Sequence, residues 1–164
     1  MKRSAGVLLY RLAGGALEVL LVHPGGPYFR NKDHGSWSLP KGLIGDGEDA
    51  LAAARRELTE ETGATAPEGP VLELGEVVQK GGKRVTGFAI EGDWDPDELV
   101  SQPFEIEWPP RSGRRAEFPE VDRAAWFGLD EAAERILPEQ AQLLVRLAEI
   151  IVADASRRRA SDDG

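Results

Sequence analysis

Apolar residues run in short blocks along this chain, and the spacing of polar residues between the blocks changes from one region to the next. "AGVLLY" (5–10) and "LEVLLVH" (17–23) are β-like runs rich in Val and Leu. They flank "RLAGG", whose Gly14-Gly15 pair is a hairpin signal. "PGGPYFRNKDHG" (24–35) reads as loop from its Pro and Gly content, and "SWSLP" (36–40) suits a short strand. "GDGEDALAAARRELTEETG" (45–63) reads as a helix. It is rich in Ala, Leu, Glu and Arg, carries acids in its first turn, and places Gly63 where a C-terminal cap belongs. "LELGEVVQK" (72–80) and "KRVTGFAIEG" (83–92) are strands around a second hairpin signal, Gly81-Gly82.

From Asp93 to Pro119 the five prolines predict irregular chain, with one short strand at "FEIEW" (104–108). "RAAWFGL" (123–129) is a last strand and "DEAAERIL" (130–137) a short helix. "PEQAQLLVRLAEIIVADA" (138–155) is a longer helix, with Pro138 suited to its first turn and Leu143, Leu147 and Ile150 on one stripe. "SRRRASDDG" is polar and expected to fray. No internal repeat and no dividing linker is visible. The chain therefore reads as one domain over residues 1–154 and a flexible polar tail over 155–164. Strands with interspersed helices predict an α/β fold, a mixed sheet covered by helices.

Composition narrows the chemistry. The chain has 164 residues, 41% of them hydrophobic and 30% charged, values that suit a globular domain with a sizeable core. Cysteine is absent, which removes disulfides, thiolate metal sites and Cys nucleophiles. The basic tip "MKR" precedes an apolar run too short for a signal peptide, and no run reaches transmembrane length. A cytoplasmic protein is the expectation. The net charge of −9 disfavours binding of long nucleic acid on a basic surface. It leaves small anionic substrates open, because metal ions can mediate their contacts.

One short segment holds an excess of negative charge. In "ARRELTEETGA" (54–64), Glu57 lies three residues before Glu60 and four before Glu61, so all three share a helical face and repel. Carboxylates clustered in this way suit a hard divalent cation such as Mg2+, which takes oxygen ligands, keeps several waters and completes its shell with phosphates. A merely solvated acidic face is the alternative. The wider register decides between them. Five residues separate Gly42 from Glu48 and seven separate Glu48 from Arg56, and "RELTEETGA" follows directly. This is similar, position for position, to the signature of the Nudix hydrolases, with Ala64 small where a larger aliphatic is usual. "WSLPKG", ending in Gly42, is also typical of the family.

The resemblance implies a Nudix fold, a mixed sheet sandwiched between helices, and it implies roles. Glu57, Glu60 and Glu61 are the expected Mg2+ ligands, with Mn2+ as a substitute, and Gly42 is expected to offer its carbonyl. Arg56 and Glu48 are expected to brace the loop on the helix. Lys41 is a candidate phosphate partner, a solvated lysine being the alternative. The implied chemistry is hydrolysis of a phosphoanhydride in a nucleoside diphosphate linked to a further group. Its base is a box glutamate or a later acid. Glu120, six residues before Trp126, resembles the acid of Nudix enzymes that cleave dinucleoside polyphosphates or RNA 5′ ends. Glu117 ranks second, and Glu105 or Glu107 third.

Substrate is less legible. A dinucleoside polyphosphate or a nucleoside triphosphate heads the expectations. RNA 5′ ends, diphosphoinositol polyphosphates and a purely ligand-binding domain follow, and the intact glutamates argue against the last. "VVQKGGK" lacks the Pro or Tyr that marks two subfamilies. "SQPF" (101–104) resembles part of a motif of NADH-cleaving members, but it stops short and is read as chance. Lys80, Lys83 and Arg84 are candidates for a polyphosphate tail, with solvated turn residues as the alternative. Tyr28, Phe29, Trp37, Trp94 and Trp108 could stack on a base, though packing roles are expected of each. His23 and His34 are read as ordinary strand-end or loop residues. A homodimer is a further expectation of the resemblance.

Overall fold

In the computed structural model, which describes residues 2–162, the N-terminal apolar runs form the middle of a six-stranded sheet. Strands β1 (Arg3–Ala13) and β2 (Ala16–Pro24) pair antiparallel through the expected Gly14-Gly15 turn. Both glycines have positive φ, 58° and 85°, the left-handed conformations that a tight hairpin turn of this twist requires. All of β1 from Ala5 to Tyr10 is buried. Its side chains alternate between two cores, as the period of a strand dictates. Ala5, Val7 and Leu9 join Leu58 of helix α1 (Ala50–Thr62) on one face. Leu8 and Tyr10 join Leu143 and Leu147 of helix α3 (Ala141–Asp162) on the other. The short helix α2 (Leu129–Arg135) adds Ala132 to that second face.

The sheet is completed by β3 (Lys41–Leu43), β4 (Val71–Val78), β5 (Arg84–Glu91) and β8 (Val121–Gly128), in the order β4-β5-β1-β2-β8 with β3 also on β1. The β1–β5 pair is parallel and the others are antiparallel, so the sheet is mixed and covered on both faces. One edge of β1 is shared. Residues 10–13 pair with β2, and residues 4–6 pair with β3. This division brings Lys41 and Gly42 under α1.

Four local expectations need correction. "SWSLP" is not a strand, because Trp37 and Ser38 make only isolated bridges. Pro40 has no N–H to donate to a ladder, its carbonyl accepts the Val7 N–H at 3.3 Å, and β3 begins at the next residue. The helix starts at Asp49, whose carboxylate caps the Ala52 N–H. The acids expected in its first turn therefore lie in the loop before it. The region from 93 to 119 contains a two-stranded ribbon, β6 (Pro103–Glu107) and β7 (Arg115–Pro119), where only the first strand is expected from sequence. Finally, α3 runs on through the polar segment to Asp162, with Arg158 and Asp154 paired one turn apart at 3.2 Å. The last two positions of the expected tail lie outside the described residues. Among the described residues no helix is long and apolar enough to cross a membrane.

Candidate active site

Loop 44–49 between β3 and α1 is organised by Arg56. Its guanidinium grips Glu48 with two bonds, Nε to Oε2 and Nη2 to Oε1, both 2.9 Å. Nη2 also donates to the Leu43 carbonyl at 3.0 Å. Nη1 donates to Glu57 at 2.9 Å and to Glu60 at 3.1 Å. All five donors of the fork are thus used, and one side chain ties the loop, the helix and two of the three box carboxylates together. Glu48 also accepts the Gly45 N–H at 2.9 Å. These bonds hold its carboxyl down at about 2, the Arg56 bonds contributing most.

The third glutamate is in a different environment. Glu61 accepts the Lys41 N–H at 3.2 Å and is pushed up to about 8, first by burial and then by the charge of Glu57. Glu57 is raised as well, chiefly by burial, with Arg56 opposing. Lys41 is lowered by burial, and Glu61 counters part of that. Negative charge here is disfavoured by the protein alone.

The box carboxylates share a cleft of about 440 Å³ with Lys41, Gly42, Gln102 and Glu120. Glu120 sits at the bend between β7 and β8. Its N–H donates to the Gln102 carbonyl at 2.9 Å, and its carbonyl accepts the Gly25 N–H at 3.0 Å. Glu120 is near enough to raise Glu61 further. Next to the cleft lies a pocket of about 220 Å³ that shares Lys41, Glu61 and Glu120 with it. Its other walls are mainly apolar, with Phe29, Leu39, Val121 and Leu137 beside Ser36 and Ser38.

The donor set, all hard oxygen, suits a cation of the Mg2+ type. Gly42 shows the closeness of the site: a Cβ added there would fall 2.0 Å from the carboxyl carbon of Glu57. With glycine there the strand lies directly against that carboxylate, and any Cβ would make the end of the Glu57 side chain shift. Among the described residues no group of three carboxylate or imidazole side chains is placed to hold a metal ion together. A cation bound through one or two carboxylates, its waters and a substrate phosphate needs no such group. Arg56 already occupies Glu57 and Glu60.

The remaining sequence candidates are placed elsewhere. Arg84 pairs with Glu76 at 2.6 Å. Lys80 and Lys83 are exposed on the β4–β5 turn, Lys83 close enough to depress Lys41 without lining the cleft. Glu105 binds Arg115 on the ribbon, and Glu117 stands opposite Glu105 there. His23 is fully buried, its Nδ1 2.7 Å from Asp122 and its Nε2 2.5 Å from the Lys32 carbonyl. Trp37 is core, edge-on to Phe127. Phe29, for which packing is the expectation, lines the pocket. Gln102, in the stretch that reads as chance, lines the cleft. Ser36 and Ser38 carry no spacing signal at all.

The NUDIX domain family model matches residues 1–147, and this chain belongs to the Nudix hydrolase family. It is 31% identical over 160 residues to an 8-oxo-(d)GTP phosphatase of Mycolicibacterium smegmatis, an alignment covering 88% of this chain and 40% of that protein. The chain therefore spans only two fifths of that relative. It is 32% identical over 133 residues to an RNA pyrophosphohydrolase of Caulobacter vibrioides, covering 73% of this chain and 74% of the other. Its fold is similar to that of a C. elegans Ap4A hydrolase in a binary complex, with a TM-score of 0.62, 20% identity, and coverage of 93% and 99%.

Proposed function

We propose that this protein is a divalent-metal-dependent pyrophosphohydrolase. It cleaves a phosphoanhydride in a nucleoside diphosphate linked to a further group, its substrate being a dinucleoside polyphosphate or a nucleoside triphosphate. One observation supports this best. A single cleft collects Glu57, Glu60 and Glu61 from α1, Lys41 from β3 and Glu120 from the bend between β7 and β8, and it opens beside an apolar pocket.

Glu57, Glu60 and Glu61, taken one or two at a time, and the Gly42 carbonyl would hold Mg2+ ions. When bound, Mg2+ would neutralise charge on the phosphate oxygens and acidify water. Glu120 accepts the proton of the attacking water. Lys41 offers its ammonium to a phosphate oxygen at the junction of cleft and pocket. Arg56 and Glu48 keep α1 and its loop in register. The pocket, with Phe29 and two serine hydroxyls, takes the nucleoside.

An RNA 5′ end is the second reading, favoured by the 32% identity to the Caulobacter protein. The test is a panel of 8-oxo-dGTP, Ap4A and 5′-triphosphate RNA with Mg2+ or Mn2+, with products resolved by chromatography. Hydrolysis at phosphorus is expected, so in ¹⁸O water the label enters a phosphate. Label on the ribose carbon, or no turnover of any member, overturns the proposal.

A further inference from the structure

Glu120 is far from the box in sequence, and the residues that hold it at the cleft are not box residues. Segment 100–102 runs between the end of α1 and the β7–β8 bend, bonded to both. On one side Val100 N–H donates to the Thr62 carbonyl at 3.0 Å, and Gln102 N–H donates to the Glu60 carbonyl at 3.2 Å. These are two of the carbonyls that a helix leaves without internal partners at its C-terminus. On the other side the Gln102 carbonyl accepts the Glu120 N–H at 2.9 Å. Ser101 Oγ accepts the N–H of buried Val121 at 2.9 Å. Two hydrogen bonds in series, through the one residue Gln102, thus connect the backbone of Glu60 to that of Glu120.

We propose that Val100–Gln102 is a strap that sets Glu120 against the box helix, and that Ser101 is its positioning residue. The proposal rests on the reading of Glu120 as the proton acceptor and adds what aims it. Ser101 does not itself line the cleft. Its hydroxyl satisfies a donor at the foot of the Glu120 bend, and a buried backbone N–H is seldom left unpaired. Without the hydroxyl the bend must resettle to find another partner, and Glu120 moves with it. Rates are steep in such displacements, since a shift of about 1 Å can cost up to about 100-fold.

The test uses the full chain with Mg2+ and the three substrates of the panel. Ser101→Ala is expected to lower kcat by about tenfold with KM nearly unchanged. Ser101→Thr keeps the hydroxyl and is expected to restore kcat. In a Glu120→Gln background the Ser101→Ala change is expected to cost less than about twofold, because the two residues act as one unit. Amide hydrogen exchange on the same variants is expected to show faster exchange at Glu120 and Val121 in Ser101→Ala, whichever substrate is used. Wild-type kcat in Ser101→Ala, beside an impaired Glu120→Gln, overturns the strap. So does an equal loss in both backgrounds, or unchanged exchange at Val121. Wild-type kcat in Glu120→Gln overturns instead the reading of Glu120 on which the strap rests.

Discussion

Gly42 and Glu57 meet so closely that no side chain fits between them. The atoms an added Cβ would strike belong to the flexible end of Glu57, so in Gly42→Ala the carboxylate yields and the backbone stays. Stability is expected to change by no more than about 1 kcal/mol, while the Mg2+ concentration for half-maximal rate rises and turnover falls. A melting curve and a Mg2+ titration of the rate check this together, and an unchanged titration would remove Gly42 from the site. Glu60 is subject to a different balance. Counting charges along the helix predicts mutual repulsion there, but Arg56 Nη1 sits between Glu57 and Glu60 and offsets it. Glu60→Gln therefore loses a half-exposed pair of less than about 1 kcal/mol. Its turnover is expected to drop by about 100-fold or more. Full activity at saturating Mg2+ would end the ligand assignment.

Helix α1 is the element on which the site depends, and its start is set by one residue. Asp49 Oδ2 accepts the Ala52 N–H at 3.2 Å and satisfies a donor that the first turn cannot. Asp49→Ala is expected to cost about 1 kcal/mol of stability in denaturant unfolding, and the Arg56–Glu48 grip should keep kcat within about twofold. A much larger loss of activity would mean that the cap also holds the loop. At the other end Gly63, at φ 84°, closes the helix with its N–H on the Thr59 carbonyl. The carbonyls of Glu60 and Thr62 are left for the strap. The ends of α1 thus differ in kind: a local side chain makes the first, and a distant segment completes the second.

At the scale of the molecule two carboxylates shifted in opposite directions are expected to shape how stability depends on pH. Glu61, raised from 4.5 to about 8, binds a proton in the folded state that it lacks when unfolded. The metal-free protein should accordingly lose stability as pH rises through that window. Glu48 acts in the opposite sense. It is held at about 2, so its contribution is present above its ordinary value of 4.5 and fades as pH falls below that. In EDTA the melting temperature is expected to decline from about pH 5 to about pH 8. Mg2+ should raise it more at the higher pH, since a cation binds the deprotonated carboxylates. Calorimetry at the two pH values, with and without Mg2+, measures this, and a Mg2+ shift independent of pH would contradict it. In Glu61→Gln the decline should flatten.

The box, Gly42 to Ala64, is legible in the sequence because its logic is local. Helical spacing puts Glu57, Glu60 and Glu61 on one face, and Gly63 ends the helix where a left-handed residue is needed. The hairpin at Gly14-Gly15 and the strand character of β1 are legible for the same reason, since short-range geometry and side-chain type are written in neighbouring residues. The start of α1 is ambiguous in sequence because Asp46 and Asp49 are both good N-cap residues, and only the bond to the Ala52 N–H separates them. Strand β7 is hidden because its partner β6 lies across a proline-rich turn, and pairing is a property of two segments. Lys80, Lys83 and Arg84 read in sequence as either polyphosphate partners or solvated turn residues, and none of them lines the cleft. What only tertiary structure decides is the far half of the site. The resemblance names Glu120 by its spacing to Trp126, but its approach to the box runs through backbone hydrogen bonds by way of Gln102, which no pattern of side chains announces. Lys41 and Glu61 take their altered charge states from burial, which arises only when the sheet and α1 close over them.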